Sequence, residues 1–175
     1  MPRKKLRDPR DFRDRVQETV RWFSTIYLGG IPPIITNDSA FLAFICIVTA
    51  TEALSGYRYG GGNLSRRFEQ FVREYFPDAY APHAEGLYAL RKKLVHAFST
   101  GPFQLIHHRS DMHLRVTTRG EVILNAEDTY GALLSAAQKY FAELDAADDL
   151  KRQMVERLDE EGGGSIGVAR IAVIR

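Results

Sequence analysis

Leu87–Ser99, LYALRKKLVHAFS, carries the pattern that decides how this chain is read. At 100° per residue, Leu87, Leu90, Leu94 and Phe98 share one arc of about 80°, with Ala84 and Val95 on its flank. The spacing predicts an amphipathic helix, yet Arg91 falls on the oily side of it. A guanidinium there is costly unless it is paired or put to use. His96 lies about 140° round the same helix, among Glu85, Tyr88, Lys92 and Ser99. The arginine is therefore expected to face inward, and the histidine to face a polar groove or a second molecule.

Around this helix the chain has room for one ordinary domain. It is 175 residues long with a formal net charge of +2, a balance that demands no nucleic-acid partner. Positive charge gathers locally in MPRKKLRDPR, residues 1–10, expected to form a basic flexible arm. The single cysteine, Cys46, excludes an intramolecular disulfide and suits a reducing, cytoplasmic setting. The longest apolar run, Phe41–Ala50, is too short to span a bilayer, and no secretion signal follows the basic start, so no membrane partner is expected.

Residues 11–160 are expected to form a single helical domain. Phe12, Val16, Val20, Phe23 and Tyr27 mark a first helix, closed by Gly29-Gly30 and Pro32-Pro33. Asn37 or Asp38 caps a second, apolar on nearly every side and so central, with Glu52 as its one carboxylate. Gly60–Gly62 lacks the Gly-Lys-Ser/Thr ending of a phosphate loop and reads as a turn. Phe68, Phe71, Val72 and Tyr75 then line a helix over 65–75.

After Gly101-Pro102 the periodicity shortens to two. FQLIHH and HLRVTT predict a β-hairpin at 102–124 with His108 opposite His113, and Glu121–Leu124 adds a third short strand. Asn125 and Asp128 resemble a capping box opening a long helix to about Leu158, whose far end is expected to project. Residues 161–175, a glycine-rich link and strand-like tail, are expected to dock on the hairpin or a second subunit. His107, His108 and His113 raise the question of metal. No cysteine lies close and Asp111 is the only carboxylate in the turn, so neither metal nor other cofactor is expected.

Arg91 and His96 are the best candidates for chemistry. An arginine holds phosphate through two parallel hydrogen bonds, and a histidine moves protons near neutral pH. Together they suit RNA cleavage without metal. The alternative is structural, with Arg91 paired to Glu52 and His96 an ordinary surface histidine.

The helical bundle with LRKKLVHAF on a late helix resembles the HEPN superfamily over roughly residues 38–145. Its mark is Arg-x(4–6)-His, matched here by Arg91 and His96, although Lys92 stands where members often carry Asn, Asp or His. The resemblance implies a HEPN-type bundle of about five helices, here with the hairpin between the fourth and fifth. It also implies a homodimer that brings two such pairs to a shared cleft. The leading expectation is a metal-independent endoribonuclease of bacterial defence or toxin–antitoxin type, in which Arg91 holds phosphate and His96 is the general acid or base. Lys92, Glu52 and Ser99 would contact substrate, and an antitoxin or effector would be the protein partner. The second expectation is a non-catalytic HEPN-like dimer that binds RNA, nucleotide or protein.

Overall fold

A computed structural model describes residues 9–160, and these are mainly helical. The expected tail at 161–175 and most of the expected basic arm lie outside the described residues.

Helix α1 (Pro9–Phe23) buries Val16 and Phe23 and widens into a π-helical turn at Ser24–Leu28, closed by Gly29 N–H donating to Ser24 O at 2.8 Å. Gly30 follows where a Cβ would stand 2.2 Å from the Ile26 carbonyl oxygen, so only glycine fits. Pro32 and Pro33 do not merely end α1. They open the short helix α2 (Ile31–Thr36), because a first helical turn needs no N–H from them.

Helix α3 (Ala40–Tyr59) is the expected central element. It packs against α2, against α4 (Leu64–Tyr75) and α5 (Ala84–Ala97), and against α6 (Ala126–Ala146) and α7 (Asp148–Glu160). It is long and apolar enough to cross a membrane by length and composition, but half of that stretch is buried within the fold. Asn63 caps α4 by accepting from Arg66 N–H at 3.1 Å, and Phe68, Phe71, Val72 and Tyr75 are buried as their spacing predicts. Pro82 lies in a 3-10 turn, Asp78–His83, leading into α5.

The hairpin does not form. Strand β1 (Phe103–Ile106) pairs in parallel with β2 (Val122–Asn125), Phe103 opposite Val122. Positive φ at His108 and Leu114 breaks the alternation that a regular strand requires. The intervening segment therefore wraps round and meets the other edge of β2 through Leu114 N–H to Ile123 O and Ile123 N–H to Arg115 O, each 2.8 Å. HLRVTT contributes only an isolated antiparallel bridge between Val116 and Val122. Phe103 packs close to α5, where a Cβ on Gly86 would stand 3.0 Å from its ring.

Two further expectations are corrected in the last third. Asn125 makes no side-chain cap to the helix backbone. Its Oδ1 accepts from Arg109 N–H at 3.1 Å, and its Nδ2 donates to Asp128 Oδ2 at 2.5 Å. The long helix also does not project, because extended backbone at Ala147 separates α6 from α7. α7 folds back on α1 and α3, burying Met154 and Val155, and Asp159 accepts from Arg15 at 2.8 Å. Leu150, Met154 and Leu158, too sparse in sequence to mark a continuous stripe, thus form a second apolar face with its own partners.

Candidate functional site

Packing of α5 on α3 sets Arg91 against Glu52. Arg91 Nη2 donates to Glu52 Oε1 at 3.1 Å while Nε faces Oε2, and the two side chains are only 23% and 20% exposed. The charge on the oily arc thus has a counter-ion on the central helix, and the pair lies at the rim of the core. Glu52 also lines a cavity of about 170 Å³ with Tyr27, Thr49, Tyr57, Arg67 and Arg157. Burial pushes the Tyr27 phenol above its ordinary value, and nearby Cys46 and Glu52 add to the shift. Tyr27, Arg67 and Arg157 come from the π-helical turn after α1, from α4 and from α7, so no motif in the chain announces them. A larger cleft of about 730 Å³ lies between α1 and the α6–α7 junction, and none of the sequence-predicted site residues lines it.

The other predicted residues collect at the C-terminal end of α5. Lys92, Lys93, Val95, His96 and Ser99 are exposed, and no described residue hydrogen-bonds or ion-pairs with His96. Lys92 Nζ stands 6.0 Å from the centre of the Tyr88 ring, and Ser99 Oγ accepts from Gly101 N–H at 3.4 Å. Within one chain Arg91 and His96 are not brought together.

Phe98 departs from the arc on which its spacing places it. It takes positive φ at the helix terminus and is 82% exposed, its ring stacked on Phe41 at 5.9 Å. Val95 is also exposed on the same end of α5, giving an apolar patch where α5 meets Phe41 of α3, and Leu42 of α3 is exposed as well. The end of α5 therefore presents two lysines and an imidazole beside uncovered apolar side chains. It can contact phosphate and it can take a second protein surface.

The three histidines of the expected hairpin separate. His113 is half-buried, accepting from Asn125 N–H at Nδ1 (3.1 Å) with Nε2 2.9 Å from the Tyr80 hydroxyl. An acceptor at Nδ1 leaves the proton on Nε2, so the neutral ring donates to Tyr80. Burial lowers its proton affinity, Asp128 opposes that shift and His83 reinforces it. His107 and His108 turn instead toward Asp38 in the α2–α3 link.

Comparison with family models, with curated proteins and with solved structures finds no match for this chain.

Proposed function

We propose that the protein is a homodimeric helical domain of HEPN type, a cytoplasmic module that binds RNA at the C-terminal end of α5. The observation that carries this reading is that Val95 and Phe98 lie exposed at the same end of α5 as Lys92, Lys93 and His96, with Phe98 stacked on Phe41 of α3. Uncovered apolar side chains favour burial against a partner, and a symmetric second copy doubles the neighbouring positive charge. Lys92, Lys93 and His96 meet phosphate, with Ser99 at the rim. Arg91 and Glu52 brace the helix that presents them, which favours binding over catalysis.

Metal-independent cleavage by the same dimer is the second reading, with a defence or toxin–antitoxin setting and a protein partner attached to it. It is favoured by the solvent-facing imidazole of His96, which has no partner among the described residues and is available for proton transfer. It requires Arg91 to leave Glu52 for a phosphate.

Single-stranded RNA titrated into the purified chain in chelator separates the two. The binding reading expects affinity that falls steeply with salt, survives His96→Ala and is lost in Lys92→Glu/Lys93→Glu, with the RNA left intact. Cut RNA bearing cyclic phosphate ends, abolished by Arg91→Ala or His96→Ala, transfers the function to the second reading. RNA neither bound nor cut sinks both.

A further inference from the structure

Two segments far apart in the chain bring Asp38, His107 and His108 to one point. Asp38 lies in the link between α2 and α3 and His107-His108 follows β1, and both Asp38 (φ 55°) and His108 (φ 58°) hold the left-handed conformation that most non-glycine residues avoid. In a regular strand His107 and His108 would point to opposite faces. The turn at His108 brings both rings to one side, their centres 4.4 Å apart. His107 Nδ1 lies 3.6 Å and His108 Nε2 3.3 Å from the same oxygen, Asp38 Oδ1. One nitrogen from each ring and a carboxylate oxygen all lie within 4.8 Å of one another.

His107 Nδ1 is buried and makes no hydrogen bond, a condition that native structures seldom tolerate. His108 Nδ1 faces Glu127 Oε1 at 2.5 Å, and the Glu127 carboxylate also accepts the His108 backbone N–H at 3.0 and 3.1 Å. Donation from Nδ1 to Glu127 leaves a neutral ring only a lone pair at Nε2, and that lone pair faces the Asp38 carboxylate. Two lone pairs aimed at each other repel; a proton on Nε2 relieves this through the 3.3 Å contact to Asp38, but only a metal ion also engages the buried His107 Nδ1 that has no hydrogen-bond partner.

The geometry points to a zinc-class divalent metal site formed by Asp38 Oδ1, His107 Nδ1 and His108 Nε2, with Glu127 orienting His108 from behind. Zinc bonds of about 2.0–2.2 Å set neighbouring ligand atoms of a tetrahedron about 3.3–3.5 Å apart, close to the 3.3 and 3.6 Å found here. Imidazole and carboxylate suit zinc, and a carboxylate behind a ligating histidine is the usual second support. Asp38 is 74% exposed, so solvent supplies the remaining ligand. The ion ties the α2–α3 link to the end of β1 and the first turn of α6. This site is separate from the RNA reading, none of whose residues it uses.

The full chain, stripped with chelator, is titrated with zinc chloride by calorimetry and thermal unfolding, and with cobalt(II) by visible absorption. One equivalent of zinc is expected to bind and raise the Tm, and cobalt to give tetrahedral bands. Asp38→Asn and His108→Asn keep a residue that tolerates the left-handed backbone and are expected to weaken binding at least about tenfold. Glu127→Gln is expected to cost roughly ten- to a hundredfold, while His96→Ala binds as the parent does. Circular dichroism confirms that each variant is folded. Absence of saturable uptake, uptake indifferent to Asp38 and His108, or stabilisation that follows pH rather than zinc overturns the site.

Discussion

Arg91 shows how one charged side chain constrains its neighbours. It sits among leucines, yet Glu52 meets it from the central helix, and both side chains are mostly withdrawn from water. Removing one partner leaves the other charge desolvated and alone, so each single loss costs more than the pair is worth. Arg91→Met and Glu52→Gln are each expected to lower unfolding free energy in urea by about 1–3 kcal/mol. The double variant should then cost at least about 1 kcal/mol less than the sum of the two. Strict additivity would mean that the pair is not coupled in solution.

At the scale of elements, one neutral ring is a principal anchor of the segment between the strands. His113 accepts the Asn125 N–H of β2 and reaches Tyr80, thereby pinning the crossover to the sheet and to the turn before α5. A proton on Nδ1 would set N–H against N–H. Folded His113 binds protons less readily than the unfolded chain does, with burial the main cause. Its contribution to stability is therefore complete above the ordinary histidine value of 6.5 and drains as pH falls below it. Urea unfolding between neutral pH and pH of about 5 should show stability falling with acid. His113→Asn keeps an acceptor near Nδ1 but cannot titrate, so it should be less stable at neutral pH with a flatter acid limb. Parallel profiles for the two proteins would remove the ring from this role.

For the whole molecule the question is what covers the junction of α3 and α5. Val95 and Phe98 lie exposed there, Phe98 against Phe41, while α3 is otherwise enclosed by five other helices. A second copy on this surface predicts that sedimentation velocity finds a dimer at micromolar concentration. Val95→Asp/Phe98→Asp should give a monomer with unchanged far-ultraviolet circular dichroism, since neither side chain belongs to the buried core. A monomeric parent, or a variant that still dimerises, would leave the patch with another use.

Helix-forming periodicity is local, so the sequence alone determined α1, α3, α4 and α5 nearly to their ends. It also marked Arg91 as an anomaly that Glu52 could answer. Tertiary structure alone decided the rest. A period of two in FQLIHH and HLRVTT cannot say which strand pairs with which, and left-handed turns at His108 and Leu114 sent the chain into a parallel pair. Likewise the thinning apolar spacing beyond Ala146 does not show that extended backbone at Ala147 folds α7 onto α1 and α3. Asp38 and His108 are 70 positions apart, and no spacing rule relates them. Their meeting is a consequence of how α2, β1 and α6 pack, because ligand geometry is a property of distances in space and not of distances along the chain.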